Sequence, residues 1–139
     1  MKIIKYIWEF GSLILLLLGS IHMFYTFFTN KFSSNNENLI TEMKKSSPIL
    51  TNETSIWRAW VGFNASHSSG AIFIGVINFL IAANYFESFL SNNFYYIFNI
   101  ITILFYLILA KKYWFKVPFI GILITLICYL SVYIIILFN

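Results

Sequence analysis

The chain has 139 residues, of which 60% are apolar and only 10% are charged, whereas about 25% of residues are charged in an average soluble domain. Its net charge of +4 comes from Lys and Arg in the connections between apolar runs. The sequence has no basic run with interleaved aromatic residues, so nucleic acid is not expected as a partner. The composition therefore excludes an ordinary water-soluble domain. It predicts an all-α fold, a four-helix transmembrane bundle in which residues 1–139 form a single integral membrane domain.

Four apolar runs are long enough to cross the lipid bilayer as helices, which takes about 20 residues. The predicted spans cover about residues 7–28, 56–83, 94–110 and 117–138. Residues 30–55 form the hydrophilic loop between the first two spans. Inside this loop Leu39, Ile40 and Met43 recur at helical spacing, which fits a short interfacial helix and a flexible loop equally well. Residues 84–93 are predicted to form a short turn.

The distribution of basic residues predicts an orientation in the membrane. Most of the nine Lys and Arg residues lie in or beside the first and third connections. The positive-inside rule then places these connections in the cytoplasm and both termini outside. Lys2 and Lys5, which precede the first span, argue for the opposite orientation.

A polar stretch at the start of the second span is the main candidate for a functional site. It runs from residue 57 to residue 70 and contains Arg58, Asn64, Ser66, His67, Ser68 and Ser69. Polar side chains inside a bilayer are costly, so a cluster of them marks a candidate site. Gly62, Ser66 and Gly70 also form a stripe of small residues, which is predicted to let another helix approach closely. Arg58 is expected at lipid phosphates rather than in the site.

The two histidines of the chain, His22 and His67, are predicted to lie at matching depth. His22 precedes the end of the first span by about 9 Å of helix, and His67 follows Trp60 by about 10 Å. Both distances are measured from the same membrane face, because one loop joins the two spans. We therefore expect a ligand-binding site between the first two helices. Its predicted residues are His22, Asn64, His67, Ser66 and Ser68, with Thr26 or Asn99 as further candidates.

Three functions remain open for this group of side chains. The first is binding of a lipid-like or small-molecule ligand, with acid–base chemistry on the ligand as an extension, since neutral imidazole exchanges protons near pH 7. The second is haem or metal binding through the two histidines, although two ligands do not complete a metal site and none is predicted. The third is a structural or assembly subunit of a membrane complex or oligomer, in which the polar groups only join helices. No catalytic residue and no cofactor follow from the pattern.

The polar stretch resembles the motif of an uncharacterised family of small bacterial membrane proteins with four spans. The residues that carry the resemblance are Trp57-Arg58-Ala59-Trp60-Val61-Gly62-Phe63-Asn64-Ala65-Ser66-His67 on the second helix and Gly19-Ser20-Ile21-His22 on the first. The resemblance covers the first two spans. It implies a multi-pass protein of the bacterial inner membrane, and it implies no particular activity.

Overall fold

The computed structural model of the chain describes residues 2–138, and every regular element among them is an α-helix. The helices are α1 (Lys2–Phe28), α2 (Glu37–Lys45), α3 (Ile56–Asn84), α4 (Phe86–Leu90), α5 (Asn93–Tyr113) and α6 (Lys116–Leu137). Four of them, α1, α3, α5 and α6, are long and apolar enough to cross a membrane. The predicted all-α fold with four spans is therefore confirmed, and the chain is a multi-pass membrane protein.

Three of the long helices, α1, α3 and α5, extend beyond the spans predicted for them, whereas α6 begins and ends one residue earlier than predicted. α1 begins at Lys2 instead of residue 7, and the ammonium group of Lys5 donates a hydrogen bond to the carbonyl oxygen of Ala83 at 2.8 Å. A cation close to the C-terminal end of a helix stabilises its unpaired carbonyls. The same ammonium group lies 3.7 Å from the carboxylate of Glu9, one turn along α1. Lysine residues at the end of a span thus continue the helix and find partners there.

The loop between the first two spans contains the short helix that the spacing of its apolar residues allows. The side chain of Asn36 accepts hydrogen bonds from the backbone N–H groups of Asn38 and Leu39, which caps the start of α2. The helix ends at Lys45 before Pro48, because the residue preceding a proline is disfavoured in helical conformation. Of the two alternatives for this loop, the structure has the helix.

The prediction of a simple turn over residues 84–93 is wrong, because α4 forms within it. Phe89 of α4 is only 2% exposed, and its ring meets the indole of Trp8 edge-on at a centroid distance of 5.1 Å. Burial of an aromatic side chain stabilises such a short helix, which has too few residues to be stable by itself. Sequence patterns miss this kind of helix because its stability comes from a partner elsewhere in the chain.

The described residues divide into two compact units, one formed by residues 2–18 and 71–138 and the other by residues 19–70. The prediction of a single domain over residues 1–139 stays a prediction. The buried apolar core of the first unit is centred on Trp8, which is 0% exposed. Its indole ring stacks on the ring of Tyr129 at a centroid distance of 3.7 Å and an angle of 5°, and it contacts Tyr96 edge-on at 5.4 Å.

A buried hydrogen-bond network connects three of the long helices in this unit. The carboxamide oxygen of Asn78 accepts from the indole N–H of Trp8 at 3.1 Å and from the hydroxyl of Tyr95 at 2.7 Å. Its nitrogen donates to the side-chain oxygen of Asn99 at 2.7 Å and to the carbonyl of Ile74 at 2.9 Å. Within residues 2–138, every buried side-chain nitrogen and oxygen has a hydrogen-bond partner. The network therefore holds α1, α3 and α5 together without an unpaired polar group.

Close backbone contact between α1 and α3 occurs at Gly75. A Cβ atom added there would lie 2.7 Å from the backbone nitrogen and 2.9 Å from the Cα of Leu16. By contrast, a Cβ at Gly62 would meet no heavy atom within 4 Å among the described residues, and Ser66 is exposed. The predicted packing role of the stripe is thus wrong at Gly62. The spacing of small residues identifies a permissive face of a helix, but not whether another helix lies against it.

Candidate functional site

The unit of residues 19–70 contains the end of α1, the loop with α2 and the first half of α3. Three contacts hold the loop against the start of α3. The backbone N–H of Ile56 donates to the carbonyl of Ser46 at 2.9 Å, and the indole N–H of Trp60 donates to the carbonyl of Phe32 at 3.2 Å. The ammonium group of Lys44 lies 5.7 Å from the ring centroid of Trp57, within the range of a cation–π interaction.

The structure brings His22, Asn64 and His67 together, as their matching depth predicts. The two imidazole rings meet edge-on with their centroids 5.6 Å apart. The Nε2 atom of His22 lies 3.0 Å from the carboxamide oxygen of Asn64. On its other side the imidazole of His22 stacks on Phe32 at a centroid distance of 4.4 Å. The site therefore consists of two imidazoles, one carboxamide and one aromatic ring.

The hydrogen bonds of Asn64 determine where neutral His22 carries its proton. The carboxamide nitrogen of Asn64 donates to the carbonyl of Trp60 at 2.8 Å, which fixes the orientation of the amide and turns its oxygen toward His22. A carboxamide oxygen can only accept a hydrogen bond, so Nε2 of His22 must be the donor. This assignment follows from the hydrogen-bond pattern. Neutral His22 then carries its lone pair on Nδ1.

The two serines of the predicted site use their hydroxyl protons within α3. Ser68 is fully buried, and its hydroxyl oxygen lies 2.7 Å from the carbonyl of Asn64 and 3.6 Å from the sulfur of Met23. The hydroxyl of Ser66 donates to the carbonyl of Phe63 at 3.1 Å on an exposed part of the helix. Ser68 thus supports the backbone at Asn64. The structure does not bring the hydroxyl of Ser66 to the histidines.

The further candidate Asn99 does not belong to this site. Its side-chain nitrogen donates to the carbonyl of Tyr95 at 2.8 Å, and its oxygen accepts from Asn78. These residues lie in the other compact unit. The sequence shows a polar residue in the third span but not the direction in which it faces, because that direction depends on the rotation of the helix about its axis.

Two residues expected in a polar pocket, Asn64 and Thr26, line a pocket of about 150 Å³, whereas His22 and His67 are not part of its lining. The pocket lies where α1 ends and α3 begins, and Asn64 is the residue that both borders the pocket and contacts His22. Three aromatic side chains line it, Phe32, Trp57 and Trp60. Five hydroxyl or amide side chains line it as well, Thr26, Thr29, Asn30, Ser33 and Asn64. A cavity of about 150 Å³ holds a molecule the size of benzene, so the pocket accommodates about one six-membered ring.

The geometry of the histidines bears on the metal and haem alternatives. Among residues 2–138, no three His, Cys, Asp or Glu side chains are grouped so that they could hold a metal ion. Two axial histidines approach a haem iron from opposite faces of the flat macrocycle. The edge-on contact between His22 and His67, with centroids 5.6 Å apart, leaves no gap for that macrocycle. As they are placed, the two rings do not fit a bis-histidine haem site.

No family model, no curated protein and no solved structure matches the chain. The resemblance of residues 57–70 to a bacterial four-span family accordingly stays a prediction, and the function is argued from the side chains of the site.

Proposed function

We propose that the chain is a protein of the bacterial inner membrane that binds a lipid-like or small-molecule ligand in the pocket beside His22 and His67. The observation that supports this most is the position of Asn64, whose carboxamide borders the pocket and accepts from His22 at 3.0 Å. One nitrogen proton of Asn64 is directed to Trp60, and the second is available to a ligand. A bound ligand is thereby connected to the imidazole pair through one amide.

The position of the pocket along the helices supports access from the bilayer. Its walls include residues just after the end of α1 at Phe28 and residues of the first turns of α3, which begins at Ile56. Trp57 and Trp60 lie at this level, and tryptophan side chains are enriched at the headgroup level of membranes. A lipid therefore presents its head group at the height of the pocket. If the bound molecule is also modified, the imidazole pair supplies the acid–base chemistry.

Replacing Asn64 by leucine is expected to release the ligand. The substitution removes the amide that contacts both the ligand and His22, and loss of such a hydrogen bond costs about 1–3 kcal/mol, or roughly 5- to 150-fold in affinity. The measurement is mass spectrometry of the small molecules that co-purify with the wild-type and variant proteins. Asn84→Leu is the matched control, because Asn84 is an exposed asparagine of the same helix whose nitrogen also donates to the carbonyl four residues earlier, Leu80, at 3.1 Å.

The same experiment distinguishes the alternatives. If the wild-type protein carries no molecule and the Asn64 and Asn84 variants behave alike, the proposal fails and a structural or assembly subunit is the better description. A Soret band in protein from haem-replete cells, abolished by His67→Ala, would replace it by haem binding with rearranged histidines.

A further inference from the structure

Several hydrogen-bond donors of the pocket lining are engaged with the protein backbone. The hydroxyl groups of Thr26 and Thr29 each donate to the carbonyl four residues earlier, at 2.8 and 2.9 Å. The indole N–H of Trp60 donates to a loop carbonyl at 3.2 Å, and one amide proton of Asn64 is used in the same way at 2.8 Å. A hydroxyl group that donates its single proton presents only its oxygen lone pairs to a neighbour. The threonines thus offer the pocket acceptors rather than donors.

Among residues 2–138, no charged side chain lines the pocket. The nearest basic residues along the chain, Lys31 and Arg58, are both exposed and do not line it. The ammonium group of Lys31 lies instead 5.5 Å from the ring centroid of Tyr25. A phosphate or carboxylate that entered the pocket would lose hydration without gaining a cation, which is strongly unfavourable. The lining therefore disfavours an anionic head group.

Part of the remaining lining is aromatic. Phe32, Trp57 and Trp60 contribute aromatic rings, and the volume of about 150 Å³ corresponds to one six-membered ring. The C–H faces of a sugar ring or a glycerol unit pack against such aromatic surfaces, while their hydroxyl groups point sideways toward polar atoms. A quinone ring fits the same volume, but its carbonyl oxygens only accept hydrogen bonds, so it has no donor for the oxygen lone pairs of Thr26 and Thr29.

From these three observations we propose that the pocket selects an uncharged head group that carries hydroxyl groups, either a glycerol unit or a single sugar ring. The inference rests on the proposed function, since it names the ligand class of the same pocket. The hydroxyl groups of the ligand donate to the threonine oxygens, one of them accepts the second amide proton of Asn64, and its carbon skeleton lies on the aromatic rings. The selectivity comes from an uncharged lining that presents acceptors on Thr26 and Thr29 together with donor groups on Asn30, Ser33 and Trp57, which a hydroxyl group matches because it both donates and accepts.

The test is a binding panel measured on the purified full chain in detergent by native mass spectrometry, with competition between ligands. The probes are dioctanoylglycerol, dioctanoyl glucosylglycerol, dioctanoyl phosphatidic acid and a short-chain ubiquinone, together with free glycerol and free glucose. We expect the two uncharged hydroxyl lipids to bind at least about tenfold more tightly than the phosphatidic acid and the quinone. Binding of the free glycerol or glucose at similar affinity would identify a soluble source of the same head group, and weak binding of both would identify a lipid.

A matched pair of variants places the effect in the pocket. Thr26→Val removes an acceptor from the lining and keeps the shape of the side chain, so it should weaken binding of the hydroxyl lipids about five- to tenfold. Thr102→Val is the control, because the hydroxyl of Thr102 makes the same kind of bond to the carbonyl of Phe98, at 2.8 Å on α5, and does not line the pocket.

The outcomes separate the two proposals. Tighter binding of phosphatidic acid or the quinone, in a manner that Asn64→Leu abolishes, would overturn the hydroxyl selectivity while leaving ligand binding intact. Absence of binding by every probe and of any co-purifying molecule would overturn both. If Thr26→Val fails to fold, the wild-type panel alone still decides, because its order of affinities tests the selectivity directly.

Discussion

Replacing Gly75 by leucine is expected to prevent α1 and α3 from packing and to abolish the stable fold of residues 2–18 and 71–138. Even the Cβ atom of an alanine would lie 2.7 Å from the backbone nitrogen of Leu16, and a backbone atom cannot rotate away as the end of a side chain can. Overpacking of this kind costs about 1–3 kcal/mol for small insertions and more for large ones. The wild-type protein should be the most stable, Gly75→Ala less stable and Gly75→Leu the least stable. The measurement is thermal or denaturant unfolding in detergent.

The control is the same pair of substitutions at Gly62. This glycine also lies in α3, but its added Cβ meets no heavy atom within 4 Å in the described part of the chain. We expect Gly62→Ala and Gly62→Leu to change the free energy of unfolding by less than about 1 kcal/mol. Equal effects at the two glycines would show that α1 does not contact α3 at Gly75.

Asn78→Leu is expected to have the second large effect. The side chain is 1% exposed, and its removal leaves the indole N–H of Trp8, the hydroxyl of Tyr95 and the carboxamide oxygen of Asn99 without their partner. A single buried polar group left unpaired costs about 1–3 kcal/mol. Hydrogen bonds inside membranes contribute only about 0.6 kcal/mol on average, so we take the lower end of this range for each group. The expected loss in the free energy of unfolding is then roughly 3 kcal/mol for the three groups together.

This expectation is measured by unfolding in detergent, with hydrogen exchange of α1 and α5 as a second measurement. Asn84→Leu again serves as the control, since it removes an exposed asparagine near the end of the same helix. A loss below about 1 kcal/mol for Asn78→Leu would mean that the network adapts and does not join the helices.

The positions of the spans were predictable because hydropathy is a local property and each apolar run is longer than the bilayer requires. The proximity of His22 and His67 was predictable for a related reason, since the fixed rise of the helix converts residue counts into depth. The short interfacial helix is also indicated by the spacing of Leu39, Ile40 and Met43, although this spacing does not identify Asn36 as the cap that starts the helix.

The roles of individual polar residues were less predictable. That Ser66 and Ser68 bind a ligand stays a prediction, and both hydroxyls donate to a carbonyl of their own preceding turn, as a serine in a helix can. Sequence alone does not distinguish such a serine from one that faces a ligand. The network around Asn78 and the pocket beside Asn64 depend on residues that are distant in the chain, so local patterns contain neither of them.

The stacking of Trp8 on Tyr129 has a practical consequence for spectroscopy. An indole that is fully excluded from solvent and held rigidly emits at shorter wavelength and with higher anisotropy than indoles that border an open pocket. Trp8 therefore contributes the blue part of the fluorescence spectrum, while Trp57 and Trp60 lie where an arriving ligand changes the red part. The fourth tryptophan, Trp114, lies in the same unit as Trp8, so the double variant Trp8→Phe/Trp114→Phe leaves only the pocket indoles, and subtracting its spectrum from that of the wild type gives the signal of the other unit.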